Sequence, residues 1–371
     1  MKILLQKLNS YGDCVACTPI PHALKDKYPD CHITMLTSKD YVDVFSMNPY
    51  IDVLKVAPSV HEHKGHIYQA YDATLARELN SHIDEYDELY ELNTLTFWGE
   101  YRRTGITFTD HYAAMAGVYP LGDRGYEIYL NEEQEHDNFK NLHPDIYDVL
   151  GGNPLIIHAA AGWDLKAMPW FKWMDVFEYL NSYMSRRPVV FIGAGDSRVP
   201  LHMEELLKEN VGPLYQAIDL PIKTQYWLID QSYMFIGPDS GPMHLAGATS
   251  TPIMAYYAGT SQYVAPPMSE KFVTMQSDAS CGVPCGVPIC QTHELCAKMI
   301  EPYHISNAIL KLDGAIRNKK PIKRHYRGLN EAKHYFFKWE HIGIDHKDPQ
   351  FEEWEDKGIS LDPNWRPNEV V

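Results

Sequence analysis

Residues 2–36 read KILLQKLNSYGDCVACTPIPHALKDKYPDCHITML, and the order of their parts decides the fold. The apolar run from Lys2 to Leu8 is strand-like and breaks at Asn9-Ser10-Tyr11-Gly12-Asp13. A helical pattern follows through Ala23 and Leu24 to Lys27 and ends at Tyr28-Pro29, and a second strand, His32 to Leu36, comes at once. A strand, turn, helix and strand in so short a span open a parallel sheet with crossover helices.

Working outward, the alternation recurs. Residues 51–56 and 86–92 read as strands and 109–118 as a helix. A second unit begins near Asn153, with strands at 154–158, 188–193, 233–236 and 252–257 and helices at 170–183, 200–207 and 243–248. Two α/β domains of the doubly wound, Rossmann-like kind are expected, facing each other across a cleft. The boundaries read 1–148 for the first domain, 149–312 for the second with a cysteine-rich insertion, and 313–371 for a C-terminal extension. Residues 144–154 form the linker. The extension lacks periodicity, and either covers part of the body or serves as an interaction segment.

Bulk properties narrow the classes. A chain of 371 residues with 45% hydrophobic content has room for two cores. The formal net charge of −16 argues against a nucleic-acid surface, which needs clustered Lys and Arg. No apolar run approaches the length of a membrane span, and the apolar start is too short for a signal peptide. The cytoplasm is the expected compartment, with a peripheral membrane contact left open.

In parallel α/β sheets, ligands bind beyond the carboxyl ends of the strands, so the strand-to-helix turns carry the chemistry. In Ser10-Tyr11-Gly12-Asp13, the aspartate is either an N-cap or a general base. In Ala159-Ala160-Ala161-Gly162-Trp163-Asp164-Leu165-Lys166, small residues let backbone approach a ligand, and Lys166 either contacts a phosphate or is simply solvated. Gly193-Ala194-Gly195-Asp196 is either a capped turn or a ribose site at Asp196. In Asp239-Ser240-Gly241-Pro242-Met243-His244, a strand runs into a helix with proline in its first turn, where exposed N–H groups suit a pyrophosphate. From spacing, His244 either faces the ligand or packs inside.

Three of these blocks resemble glycosyltransferase family 9, the lipopolysaccharide heptosyltransferases. KILLQKLNSYGDCVACTPIPHALKDKYPD is similar to the family's strand, GD-x4-TP, helix and YP opening; HAAAGWDLKAMPWFKW to its donor-lysine segment; and FIGPDSGPMHLAGATSTPIMAYYAGTS to its D-[ST]-G-x-x-H-x-A-x-A-x-x-x-P motif. Their order and spacing agree over roughly residues 1 to 310. The resemblance implies a GT-B fold, inverting transfer without a catalytic metal, and an ADP-activated heptose as donor. It implies Asp13 as the base and Lys166 on the donor phosphates, with Gly12, Ala161, Gly162, Asp196, Asp239, Ser240, Gly241, Pro242, Met243 and His244 on the donor side. Ser10, Tyr11, Arg102 and Arg103 are the acceptor-side candidates, for a glycan or protein acceptor. Met168 departs from the pattern, since the family often has Trp before that proline.

Four thiols, Cys281, Cys285, Cys290 and Cys296, suit a small structural Zn or Fe site, or remain reduced or form a loop disulfide. Similar insertions occur in the resembling family, some with iron. His61, His63 and His66 read as a solvated loop. Two rival functions share the architecture: a nucleotide-sugar 2-epimerase, which needs no acceptor, and a non-catalytic nucleotide-sugar-binding protein. A dinucleotide oxidoreductase is disfavoured, because no G-x-G-x-x-G follows the first strand.

Overall fold

Strands that are apolar along most of their length must be covered on both faces, and two parallel sheets result. The computed structural model describes residues 1–59, 85–93, 107–162, 164–181, 187–195, 198–200, 204, 213–277, 295–327 and 335–338. The first sheet holds β1 (Lys2–Lys7), β2 (His32–Ser38), β3 (Val53–Ala57) and β4 (Glu88–Glu91) in the order β3-β2-β1-β4, all parallel. The second holds β5 (Leu155–Ile157), β6 (Val189–Gly193), β7 (Leu214–Ile218), β8 (Met234–Pro238), β9 (Ile253–Tyr257), β10 (Lys271–Gln276), β11 (Ile322–Arg327) and β12 (Tyr335–Lys338). Their order is β12-β11-β10-β9-β8-β5-β6-β7, parallel except for the antiparallel edge strand β12.

The period of two sorts each run onto two cores. Leu155, Ile157, Val189, Phe191, Met234, Ile236, Met254 and Tyr256 point to one face, under the helices Trp170–Asn181 and Pro302–Arg317. Ile156, Val190, Ile192, Phe235, Ile253, Ala255 and Tyr257 point to the other. That second core also takes in Met243, Leu245 and Trp227, and it continues without a break into Ile3, Leu5 and Ile33 of the first sheet. The two sheets thus share one apolar cluster.

Both sheets reverse their strand order at one point. In the second sheet the chain runs β5, β6, β7 outward one way, then returns to place β8, β9, β10 and β11 on the other side. In the first, β2 and β3 lie on one side of β1 and β4 on the other. The crevices beside β1 and between β5 and β8 are therefore the binding positions of the fold.

The elements match the sequence reading, with three differences. The first helix begins at Tyr11, inside the expected turn, and spans Tyr11–Ala16 before a second helix, Ile20–Lys27. The helix Pro302–Arg317 runs through the expected boundary at 312, and β11 then pairs with β10, so the second sheet continues into the supposed extension. The strands β7 and β10 and the helices Glu132–Leu142 and Ile222–Asp230 had no clean period, because polar residues such as Gln216 and Thr274 interrupt them. The helix expected at 200–207 lies almost wholly outside the described residues, as do His61, His63, His66 and everything after 338. No helix among the described residues is long and apolar enough to cross a membrane.

The helices Tyr11–Ala16 and Gly241–Gly247 pack directly on one another and bring the two halves together. A Cβ on Gly12 would lie 2.7 Å from His244 Cδ2 and 3.4 Å from Gly241 Cα. A Cβ on Gly241 would run into the Tyr11 ring, 2.6 Å from Cγ and 2.9 Å from Cβ. Polar contacts flank this seam: Tyr11 donates to Gln225 Oε1 at 3.0 Å, and the Phe108 N–H donates to the Val264 carbonyl at 2.8 Å. Gly241→Ala should therefore lower stability by about 1–3 kcal/mol, as overpacking does. Gly162→Ala, where a Cβ meets nothing within 4 Å, should be tolerated. Urea unfolding of the two variants checks this, and an unchanged midpoint for Gly241→Ala would show that the seam is not tight.

Candidate active site

On the first sheet's side, β1 ends at Lys7 and the chain turns through Ser10, whose backbone adopts a φ of 64°, into the first helix. A non-glycine residue in this region is strained, and such strain concentrates at functional turns. Asp13 is the third residue of that helix and does not cap it; Ser10 occupies the cap position. The Asp13 carboxylate instead accepts from the hydroxyls of Ser10 and Tyr112. Lys7 Nζ lies 3.9 Å from its Oδ1. The carboxylate is thus tied by side chains, and remains partly exposed at the seam.

On the second sheet's side, Asp239 directly follows β8 and is buried. Lys166, from the short 3-10 turn after β5, donates to Asp239 Oδ2 at 2.9 Å and to its carbonyl at 3.2 Å. His244 Nε2 lies 3.3 Å from Oδ1. Burial alone would push the Asp239 carboxyl up, but the Lys166 ammonium and the His244 contact outweigh it and hold the group well below the usual carboxylate range. A carboxylate that stays charged repels a diphosphate, so the Asp239 side chain is suited to holding Lys166 rather than to meeting phosphate itself. His244 Nδ1 lies 3.2 Å from the Tyr126 hydroxyl, so both ring nitrogens are engaged within the protein.

Ser240 is half-buried between these groups. Its Oγ lies 3.1 Å from His158 Nδ1, at the end of β5. Burial pushes the His158 imidazole down to about 4, so the ring is neutral at physiological pH. Gly241 and Pro242 open the next helix, whose first N–H groups have no helical partners. Pro242 is buried, and Met243 lies wholly in the core.

Most of the remaining sequence candidates are placed. Gly12 packs on Gly241 across the seam. Ala161 and Gly162 line the open turn before Lys166. Tyr11, expected on the acceptor side, reaches over to Gln225 of the second half. Met168 is buried, and its N–H donates to the Tyr256 hydroxyl at 3.3 Å. Arg102, Arg103, Asp196, Cys281, Cys285 and Cys290 lie outside the described residues. Cys296 is described: it is buried, with Sγ 3.9 Å from the Leu165 carbonyl. Among the described residues no group of three or more His, Cys, Asp or Glu side chains could hold a metal ion.

Sequence reasoning missed Lys7, Tyr112, Tyr126 and His158. Two of them left a trace: Lys7 is a charge at the end of a buried strand, and His158 ends another. Tyr112 and Tyr126 meet their partners 99 and 118 positions away in the chain, and nothing local marks them.

The chain is similar to several known proteins. The model of glycosyltransferase family 9 (heptosyltransferase) matches residues 119–288, which hold the Lys166 and Asp239 turns. Lipopolysaccharide heptosyltransferase 3 of Escherichia coli is 24% identical over 300 residues, 71% of this chain and 85% of that protein. A family 9 glycosyl transferase of Veillonella parvula shares the fold with a TM-score of 0.62 at 17% identity, over 84% of this chain and 96% of the other. The ADP-heptose LPS heptosyltransferase II of E. coli gives a TM-score of 0.60 at 16% identity, over 86% of this chain and 100% of the other. The fold is the GT-B arrangement of two Rossmann-like domains.

The neutral His158 sets an acid limit on stability. Its folded value of about 4 lies below the unfolded imidazole's 6.5, so between these the unfolded chain binds a proton that the native state refuses. Its contribution is intact above that window and falls with pH across it, by about 3 kcal/mol in all. Asp239 acts at lower pH, below the carboxylate range. Denaturant unfolding between pH 7 and pH 4 should show a slope that shrinks in His158→Gln; an equal slope in both proteins would place the pH dependence elsewhere.

Proposed function

We propose that the chain is a heptosyltransferase-like glycosyltransferase of family 9 and that it moves a heptose from an ADP-activated donor to an acceptor hydroxyl, with inversion and without a catalytic metal. The observation that carries this reading is the Gly12–Gly241 contact, which brings the Asp13 turn of one half against the Asp239-Ser240-Gly241 turn of the other.

In this reading, the Asp13 carboxylate takes the proton from the acceptor hydroxyl. The freed oxygen attacks the anomeric carbon from the face opposite the diphosphate, and the bond from that carbon to the diphosphate oxygen breaks. The negative charge that develops on the departing ADP is met by Lys166 and by the N–H groups that follow Ser240. Asp239 keeps Lys166 pointed at this place, which limits the reorganisation needed as the charge forms. The cations and dipoles of the chain supply the electrostatic stabilisation, so chelators leave the rate unchanged in this mechanism. A glycan or protein is the acceptor, and Ser10 at the rim of the seam is the described residue best placed to meet it.

Two measurements test this. Calorimetric titration with ADP, UDP, GDP and CMP should show selective ADP binding, weakened about 10- to 100-fold in Lys166→Ala, in keeping with the loss of a charge-assisted contact. A preference for UDP would overturn the ADP-heptose donor and favour an epimerase or another sugar. Asp13→Asn should lower the rate of ADP release from ADP-heptose by about 10²- to 10⁴-fold, the usual worth of a general base, with ADP affinity little changed. A variant that turns over at the wild-type rate would eliminate Asp13 as the base.

A further inference from the structure

The two oxygens of the Asp13 carboxylate have different company. Oδ1 accepts from the Tyr112 hydroxyl and faces Lys7 Nζ at 3.9 Å. Lys7 is 0% exposed and Tyr112 1%, so this side of the carboxylate is closed to any ligand. Oδ2 accepts from the Ser10 hydroxyl, which is half-buried at the rim. One oxygen is therefore anchored in the interior, and the other is held by a partly exposed hydroxyl.

The anchoring is a chain of donors. Lys7 Nζ donates to the Tyr112 hydroxyl at 3.3 Å and to Asn9 Oδ1 at 3.1 Å, and sits 4.8 Å over the Tyr112 ring. The tyrosine hydroxyl has a single proton. With a lysine proton arriving at its oxygen, that proton goes to Asp13. A buried ammonium must be neutralised or solvated by its neighbours, and Asn9, Tyr112 and Asp13 do this for Lys7. Tyr112 itself is held firmly: its helix, Phe108–Met115, starts with the Phe108 N–H bonded to Val264 of the other half.

We propose that Tyr112, backed by Lys7, is a positioning residue for the transfer reaction: it fixes Oδ1 inward and leaves Oδ2 as the oxygen that receives the acceptor's proton. The proposal rests on the reading of Asp13 as the base. A hydrogen bond to the ionised carboxylate, and a positive charge behind it, both favour the charged form. Removing either raises the carboxyl's affinity for protons. The other titratable groups that face Asp13 are Tyr41 from the turn after β2, Tyr126 from the segment after the Tyr112 helix, Cys14 and Cys17 on its own helix, and His244 beyond Gly12. Burial pushes Tyr41, Tyr126, Cys14 and Cys17 up, so they stay neutral across the working range. His244 lies against Tyr126 rather than Tyr112, with its Nδ1 3.2 Å from the Tyr126 hydroxyl, and its Nε2 faces Asp239.

The test uses the full chain and needs no added acceptor: the titration reads Asp13 directly, and the rate is that of ADP-heptose hydrolysis, in which water takes the acceptor's place and gives its proton to Asp13. The Asp13 carboxyl is titrated by NMR in protein labelled with carbon-13 aspartate, its signal assigned by its loss in Asp13→Asn. In Tyr112→Phe the ring and its contact with Lys7 are kept and only the hydroxyl is lost. The Asp13 midpoint should rise by about one pH unit. The acid limb of ADP release from ADP-heptose should move by the same amount, the rate at its plateau should fall about tenfold, and ADP affinity should stay within about twofold. Lys7→Met carries the same test independently and should shift the midpoint in the same direction. The double variant should show less than the sum of the two, because both act through one chain of bonds. An Asp13 midpoint that does not move in either variant overturns the proposal, even if the rate falls, because a purely structural role changes rate without changing the titration. Should Asp13→Asn turn over at the wild-type rate, the base reading itself fails; with Asp13→Asn inactive and the midpoint unmoved, only the role of Tyr112 falls.

Discussion

The contact between Gly12 and Gly241 sets the distance at which the two halves of the molecule meet. Each glycine lies where a Cβ would strike the other half: His244 in one case, the Tyr11 ring in the other. Because neither has a side chain, the helix that carries Asp13 lies directly against the helix that follows the Asp239 turn. Both helices start at the carboxyl ends of strands beside a reversal of strand order, so each half already presents its binding crevice there. The steric allowance at two positions turns two separate crevices into one site. A shared apolar cluster running from Ile3 to Met243 holds the arrangement without any need for charge pairs at the seam.

Charge is kept apart from that contact by pairing it within each half. In the second half, the buried Asp239 is compensated by Lys166 and His244. In the first, the buried Lys7 is compensated by Asn9, Tyr112 and Asp13. The two arrangements are opposite in sense. One has a buried anion that holds a cation close to the surface; the other has a buried cation behind a partly exposed anion. In the proposed transfer, the first would serve a leaving diphosphate and the second a proton acceptor. Neither charge would be tolerable in the interior alone, since an unpaired buried ion costs several kcal/mol. Tyr126 joins the two systems, because its hydroxyl meets His244 while its segment belongs to the chain that follows the Tyr112 helix.

Much of this was legible in the sequence. The strand-turn-helix order of residues 2–36 and its recurrence after Asn153 gave two parallel sheets, because apolar runs of strand length flanked by small-residue turns have few other solutions. The turns at Asp13, Lys166 and Asp239 were legible for the same reason: side chains just past a parallel strand lie at the ligand edge of the sheet. Where the polar content of an element was higher, as in β7 and the helix Ile222–Asp230, no period stood out. There, tertiary burial rather than local pattern decides the structure. The continuation of the second sheet through β11 was hidden because a parallel strand finds its partner far away in the chain.

What the sequence determined alone was the kind of element at each place and the residue types at each turn, since both follow from short-range periodicity and backbone preference. It left Asp13 as either a cap or a base, and His244 as either facing the ligand or packed. Only the tertiary structure decided that the Asp13 carboxylate binds hydroxyls instead of its helix N–H groups, and that the imidazole of His244 spends both nitrogens inside the protein. The physical reason is that hydrogen-bond partners in a folded interior are chosen by proximity in space. Tyr112 and Tyr126 come from elements that local sequence places nowhere near those groups.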